Sequence, residues 1–241
     1  MAQVTVTDTP PEATDLTAER MAETIATGQS QRRPVHLSVA GGATPRATYE
    51  RLATLVDDWQ GVELWLGDER LVPPDDPESN YRLLAETLLQ RTEAVVHAVP
   101  TEGSAEEAAS AYAREIRKRV PAGPGGVPEL DLALLGLGED GHTASLFPNA
   151  PALDVRGEVC VAVHEAPKPP PDRVSLTLDV LRAARGSLIL AVGDAKASAV
   201  AGALSGPNPG VPASLLADGP LELIIDRAAA RALPANVARA T

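Results

Sequence analysis

Short apolar runs alternate with longer amphipathic segments along most of this chain. Apolar runs of strand length occupy residues 35–39, 64–66, 132–137, 188–192 and 221–225, with weaker candidates at 95–99 and 159–163. Helical patterns fill the intervals, at residues 16–27, 46–56, 81–91, 105–120, 178–185 and 196–204. This alternation predicts βαβ units and a mainly parallel, twisted sheet flanked by helices. We expect a single α/β domain over residues 1–241, because the Pro- and Gly-rich segments link elements of one alternation.

Composition and charge narrow the class of protein. Only 2% of the residues are aromatic and 44% are hydrophobic, so Ala, Val and Leu must fill the core. The one cysteine, Cys160, excludes a disulfide within the chain and lies in an apolar run typical of a buried side chain. The sequence shows no membrane span and no signal peptide, so we expect a cytoplasmic protein.

The net charge of −12 opposes binding to nucleic acid or to an anionic membrane. A small anionic substrate remains possible, because a few basic residues that converge on a pocket reverse the local field.

The predicted strand at 132–137 runs into a turn that carries Glu139, Asp140 and His142. Ligands of open α/β sheets bind outside the carboxyl ends of strands, so this turn is a candidate site of chemistry. Glycines allow the backbone to turn sharply there and to approach a ligand: Gly136, Gly138 and Gly141. Taken alone, the pattern fits an ordinary capped turn equally well.

The strand at 35–39 leads into Gly41-Gly42-Ala43-Thr44-Pro45. Thr44 is predicted as the N-cap of the next helix, with Pro45 in its first turn. Unpaired N–H groups at a helix N-terminus favour an anion, so the loop is a candidate phosphate site. It is neither a Walker loop nor a dinucleotide fingerprint.

The strand at 64–66 ends in Gly67-Asp68-Glu69-Arg70, and Ser79 or Asn80 is predicted to cap the helix that follows. Parallel strands place their carboxyl ends at one edge of the sheet. We therefore expect the loops after residues 39, 66 and 137 to converge.

These blocks, in this order, resemble those of the 6-phosphogluconolactonases. The most specific is Gly141-His142-Thr143-Ala144-Ser145-Leu146-Phe147, and further blocks follow at residues 170–177 and 193–196. The resemblance covers about residues 35–200. It implies a Rossmann-like fold of the NagB/RpiA-like kind and hydrolysis of 6-phospho-D-glucono-1,5-lactone to 6-phospho-D-gluconate. It further implies a phosphosugar lactone as the partner, no cofactor, and a monomer or small homo-oligomer.

Catalytic roles follow from the same resemblance. His142 matches the general base that takes a proton from water, and histidine as a residue type ionises near neutral pH. Asp140 or Glu139 would orient its imidazole, as an acid does in a triad. Arg70 would hold the substrate or stabilise the oxyanion. No metal is expected, since Asp140 and His142 lack partners at metal-ligand spacing.

Substrate-binding positions are implied likewise, at Gly41, Gly42, Ala43, Thr44, Asp68, Arg173 and Lys196. Lys196 in the first turn of a helix is unfavourable unless an anion lies nearby. The chain departs from the family at Ala40 and Ala43, where Ser is frequent. The loop's backbone N–H groups and Thr44 must then do more of the binding.

Two other functions compete with this interpretation. An aminosugar-phosphate isomerase shares the Asp-Gly-His block, but it has a carboxylate a few residues beyond the histidine, which residues 143–147 lack, and an aromatic in place of Arg70. A phosphosugar-sensing domain of a transcription regulator would need a DNA-binding module. The 34 or so residues before the first predicted strand are too few and too acidic for one.

Overall fold

The computed structural model describes residues 2–234 and Val237. Its strands are β1 (Gln3–Thr7), β2 (Val35–Val39), β3 (Val62–Leu66), β4 (Asp68–Arg70), β5 (Val95–His97), β6 (Leu132–Gly136), β7 (Cys160–Val163), β8 (Arg173–Leu176), β9 (Ser187–Ala191) and β10 (Leu221–Asp226). Its α-helices are α1 (Pro10–Ser30), α2 (Thr44–Leu55), α3 (Asn80–Leu84), α4 (Ala105–Arg119), α5 (Leu178–Ala183), α6 (Ala197–Ala203) and α7 (Arg227–Ala230). A π-helical turn, Ala85–Leu89, extends α3, and short 3₁₀ turns include Asp194–Lys196.

Seven strands form one parallel sheet in the order β1-β10-β9-β6-β2-β3-β5. The chain proceeds from β2 outward to β3 and β5, and from β6 outward in the opposite direction to β9 and β10. The order therefore reverses between β2 and β6. The carboxyl ends of strands at such a switch point form the crevice in which open α/β sheets bind ligands.

A second, antiparallel sheet of three strands has the order β4-β8-β7. In its ladder Arg70 lies opposite Arg173, and Asp68 lies opposite Ser175. This sheet carries polar side chains from two distant parts of the chain to the same end of the molecule as the switch point.

Ala, Val, Leu and Ile side chains dominate the buried core, as the composition predicts. The two long helices are fixed by capping boxes, Thr9 with Glu12 at α1 and Ser104 with Glu107 at α4. Cys160 is buried, and burial raises the pKa of its thiol well above the ordinary value. No helix within the described residues has the length and apolar character that crossing a membrane requires.

The mainly parallel α/β sheet flanked by helices is confirmed, with differences in detail. Strand β1 was not predicted; it pairs with β10, and α1 begins at Pro10 rather than near residue 16. The segment before β2 is thus part of the main sheet and its helical cover. Strands β4 and β8 were also missed, because runs of three or four residues carry no usable periodicity.

Candidate active site

A cleft of about 330 Å³ opens at the switch point. The three loops that follow β2, β3 and β6 all contribute to it, so the predicted convergence is confirmed. Its polar and loop residues include Gly41, Gly42, Ala43, Thr44, Asp68, Arg70, Glu78, Asn80, Gly138, His142, Lys168, Arg173 and Lys196.

His142 is paired with Asp140. The His142 Nδ1 atom lies 2.5 Å from Asp140 Oδ1, and the backbone N–H of His142 donates to the same oxygen at 3.2 Å. Partial burial tends to raise the pKa of Asp140, but hydrogen bonding and charge from His142 outweigh it, and the pKa falls below the ordinary value. An ionised carboxylate only accepts hydrogen bonds, so a proton on Nδ1 satisfies this contact, and in that tautomer of a neutral ring Nε2 carries the lone pair. Glu139 is exposed and makes no hydrogen bond to the ring within the described residues.

The turn that carries this pair depends on glycine. A Cβ on Gly138 would lie 2.1 Å from His142 Nδ1 and 2.5 Å from Asp140 Oδ1, so only glycine leaves room for both. Gly141 has a φ of +86°, which L side chains rarely adopt. The Gly138 N–H donates to the His142 carbonyl at 2.8 Å and closes the turn.

The aromatic ring of Phe147 lies between two site residues. Its centroid is 4.7 Å from that of His142, with the rings tilted by 48°. The Arg173 guanidinium carbon lies 5.5 Å from the same centroid, within the range of a cation–π contact. The chain's single phenylalanine thus packs against both the histidine and a buried cation.

Arg70 and Glu69 alternate across the short strand β4. The Arg70 Nη1 atom donates to the Glu78 carbonyl at 2.5 Å and approaches its carboxylate at 3.4 Å. The Glu69 carboxylate points away from the cleft and accepts from Ser79 Oγ and from the backbone N–H groups of residues 70, 80 and 81. Burial raises the pKa of Glu69, and these four hydrogen bonds oppose the shift. Glu69 therefore holds the start of α3, where Ser79 is the N-cap as predicted.

Asp68 is buried within a hydrogen-bonded network at the cleft wall. Its Oδ2 accepts from Ser145 Oγ at 2.5 Å, and its Oδ1 accepts from Asn80 Nδ2 at 3.3 Å. Ser145 Oγ also lies 3.5 Å from Arg173 Nη1. A Cβ on Gly41 would come within 1.8 Å of Asn80 Oδ1, so that glycine lets the loop after β2 pack on this network.

The loop after β2 lines the cleft as expected, but the N-cap of α2 differs from the prediction. Thr44 was predicted as the N-cap of α2, and this was wrong. Ala43 holds that position with helical φ and ψ of −72° and −34°, Thr44 already lies in the helix, and no side chain caps the end. A capping side chain needs an extended residue, and Gly42, at φ +96°, has already turned the chain. The N–H groups of the first turn are left without a side-chain cap beside the cleft.

Positive charge gathers on the opposite wall. Arg173 is 4% exposed and has no carboxylate ion pair among the described residues. Burial lowers the pKa of its guanidinium, and the charge of Arg70 lowers it further. Burial likewise lowers the pKa of the Lys196 ammonium, with Glu139 opposing the shift and Lys168 adding to it. Like charges directly opposite in a ladder, as with Arg70 and Arg173, are destabilising unless an anion lies between them.

Three cleft residues were not foreseen as site residues, Lys168, Glu78 and Phe147, and neither was Ser145, which is buried behind the cleft wall and bonds to Asp68. Lys168 reaches the cleft because the Pro-rich loop before β8 folds back, which no local pattern indicates. The other three histidines lie elsewhere: His36 is buried in β2, His97 pairs with Glu63, and His164 is on the surface. No group of three or more His, Cys, Asp or Glu suited to a metal ion occurs among the residues described.

A parallel sheet with a histidine–aspartate pair and several basic side chains at its switch point defines an α/β protein with a basic cleft at the carboxyl ends of its strands. The family model for glucosamine-6-phosphate isomerases/6-phosphogluconolactonase matches residues 8–225. The chain therefore belongs to this family.

Within the family, the chain is similar to several proteins named 6-phosphogluconolactonase. It is 40% identical to that of Streptomyces coelicolor over 202 residues, covering 78% of this chain and 77% of the relative. It is 43% identical to the human protein over 173 residues, covering 69% and 66%. The solved structure of 6-phosphogluconolactonase from Trypanosoma brucei superposes with a TM-score of 0.87 at 30% identity, covering 97% of this chain and 99% of that one. The predicted resemblance is thus confirmed.

Proposed function

We propose that this chain is a 6-phosphogluconolactonase, a single-domain cytoplasmic enzyme that hydrolyses 6-phospho-D-glucono-1,5-lactone to 6-phospho-D-gluconate. The observation that carries the reaction type is the His142–Asp140 pair. It fixes an imidazole at the cleft with Nδ1 occupied and Nε2 available to accept a proton.

In the proposed reaction, His142 Nε2 takes a proton from water as the water oxygen bonds to C1 of the lactone. The tetrahedral intermediate then collapses, the bond from C1 to the ring oxygen breaks, and Nε2 returns the proton to that oxygen. General acid–base catalysis of this kind typically contributes about 10²–10⁴-fold. Asp140 acts through the imidazole and is a positioning residue.

Arg70 is proposed to stabilise the oxyanion that develops on the carbonyl oxygen. Glu78 holds its guanidinium through both a carbonyl and a carboxylate, so the charge is preorganised before substrate binds. Arg70 Nε is buried, so Nη2 is the nitrogen proposed to reach the substrate. Asp68, which is held by Ser145 and Asn80, is proposed to accept from a sugar hydroxyl.

The phosphate is proposed to bind between the loop 41–44 and the cations Arg173 and Lys196. The uncapped N-terminus of α2 offers backbone donors to an anion, and the helix dipole has the same sign. Holding the remote phosphate would keep C1 in register with His142, which is how binding energy accelerates a reaction at a distant centre.

The aminosugar-phosphate isomerase alternative has less support. The residues that line the cleft just beyond His142 are Ala144 and Phe147, and neither can exchange a proton.

The deciding experiment is a rapid assay of lactone opening, with substrate made in situ from glucose 6-phosphate. Because the lactone also opens unaided, the rate is compared with the spontaneous background. We expect acceleration by wild type, loss of about 10²-fold or more in kcat for His142→Gln, and no loss for His164→Gln. A His142→Gln variant with wild-type kcat would overturn the mechanism. Turnover of glucosamine 6-phosphate with no lactone hydrolysis would overturn the function.

A further inference from the structure

The chain uses lysine sparingly. It contains three lysines, Lys118, Lys168 and Lys196, among 21 basic residues. Two of the three, Lys168 and Lys196, line the cleft, while Lys118 is exposed at the end of α4. Lysine carries a compact charge with three rotatable donors, whereas the donors of arginine form a rigid fork. Lysine is therefore better suited than arginine to a ligand whose orientation changes.

The two cleft lysines belong to the lining of one cleft, and Lys168 is the more exposed of the two. Burial lowers the pKa of Lys196, the charge of Glu139 raises it, the charge of Lys168 lowers it further, and Asp140, which is engaged with His142, has a smaller raising effect. Neither lysine has a carboxylate partner within 4.0 Å in the part of the chain that the structure describes. Two cations that line one cleft without a carboxylate ion pair attract a ligand that supplies negative charge.

The side chain of Arg173 holds the backbone of Lys168 at the cleft. Arg173 Nη2 donates to the Lys168 carbonyl at 2.7 Å, and Arg173 Nε donates to the Pro170 carbonyl at 3.1 Å. We call residues 164–172 the proline loop. The Arg173 guanidinium thus fastens this loop against β8, and the remaining described bond, from Nη1, goes to Ser145 Oγ.

We propose that Lys168 is a further phosphate-binding residue, which acts together with Lys196, and that Arg173, besides its proposed contact with the phosphate, positions the proline loop that carries Lys168. The ligand group is a phosphate monoester dianion, whose two charges match the two ammonium groups. This inference deepens the proposed function and rests on its assignment of the cleft to a phosphosugar.

Lysine labelling with an amine-specific acylating reagent, read by mass spectrometry, tests it directly. Labelling rates are compared without ligand, with 6-phosphogluconate and with gluconate. We expect 6-phosphogluconate to slow labelling of both Lys168 and Lys196, gluconate to protect neither, and Lys118 to serve as the unchanged internal control. Protection of Lys196 alone would overturn the role of Lys168. Protection of neither would instead overturn the proposed placement of the phosphate.

Variants give the matching functional measurement. Lys168→Gln should raise KM for the phospholactone and Kd for 6-phosphogluconate about tenfold, as for a lost hydrogen bond to a charged group, with kcat nearly unchanged. Lys118→Gln is the matched control and should change neither. An unchanged Kd in Lys168→Gln would refute the proposal, whatever the kcat.

Arg173→Lys separates charge from positioning. It keeps one positive charge but loses the fork that binds two loop carbonyls. We expect Lys168 in this variant to lose its protection by 6-phosphogluconate, and the double variant Arg173→Lys, Lys168→Gln to bind no more weakly than the weaker single variant. Additive losses would show that Arg173 does not act through Lys168. A folded Arg173→Lys with Lys168 still protected would do the same.

Discussion

His142 Nδ1 and Asp140 Oδ1 lie 2.5 Å apart, and the same carboxylate oxygen also accepts the backbone N–H of His142. The adjacent acid, Glu139, makes no such bond among the described residues. The sequence left open which of the two acids orients the imidazole, and the geometry favours Asp140.

This pairing predicts unequal effects for the two acids. Asp140→Asn replaces an acceptor with an amide whose NH₂ can turn toward Nδ1 and favour the wrong tautomer, so kcat should fall about 10²-fold or more with KM little changed. Glu139→Gln removes the same charge one residue away and should keep kcat within about twofold of wild type, since no hydrogen bond to the ring is lost. Steady-state kinetics on the in situ lactone measures both.

Equal losses in the two variants would show that the net charge of the turn matters rather than the hydrogen bond. A loss in Glu139→Gln alone would move the orienting role to that residue.

The turn glycine gives an independent test of the same geometry. A Cβ on Gly138 would overlap both His142 Nδ1 and Asp140 Oδ1. Gly138→Ala should therefore displace the pair and lower kcat without unfolding the protein, because the ring can move toward the open cleft. Gly219→Ala is the control, since Gly219 is not among the cleft-lining residues and a Cβ there would come no closer than 3.5 Å to any atom.

The two perturbations act on one arrangement, so their effects should not add. The double variant Gly138→Ala, Asp140→Asn should be no slower than the slower single variant within about twofold. Losses that multiply would indicate that Gly138 serves some other purpose, such as backbone contact with substrate.

Much of this site was predictable, because it rests on local patterns. Apolar runs ending in glycine located the strands and the three loops, and parallel geometry required those loops to meet. The parts of the site that the sequence did not predict depend on pairing between segments that are distant in the chain. Arg70 meets Arg173 only because β4 and β8 form a ladder, and Lys168 reaches the cleft only because Arg173 bonds to the carbonyl behind it.

Glu69 is a residue that the sequence alone groups with the site residues but that lies outside the cleft. It lies between Asp68 and Arg70 in a charged block, yet it is 2% exposed and caps α3. A strand places alternate residues on opposite faces, so Glu69 points away from the cleft that its neighbours line. That alternation becomes visible only once β4 is known to be a strand.

Glu69 should accordingly matter for stability rather than for chemistry. Glu69→Gln puts an NH₂ donor among four donors, which leaves at least one buried N–H or O–H unpaired. We expect a loss of about 2–4 kcal/mol in the free energy of unfolding, measured by urea denaturation. The kcat per folded molecule should stay near wild type, and a loss of kcat with unchanged stability would instead assign Glu69 to the site.

His164 provides a pH-dependent contribution to stability. Its Nδ1 lies 2.7 Å from Asp172 and its Nε2 lies 2.8 Å from Glu106 on α4, so it ties the proline loop to that helix. The hydrogen bonds to Asp172 and then to Glu106 raise the pKa of His164 above its ordinary value. A raised pKa in the folded state means that the stabilisation is fully present below the unfolded pKa of about 6.5, and is lost as the pH rises through the folded pKa.

We therefore expect wild type to exceed His164→Gln in unfolding free energy at about pH 6, and the difference to shrink toward zero by about pH 9. Since the cluster is exposed, about 1 M salt should also reduce the difference at the lower pH. Lys118→Gln, at an exposed position of α4 that does not contact His164, controls for the general loss of a positive charge. A His164→Gln difference that is the same at both pH values would mean that packing, and not protonation, accounts for the contribution of His164.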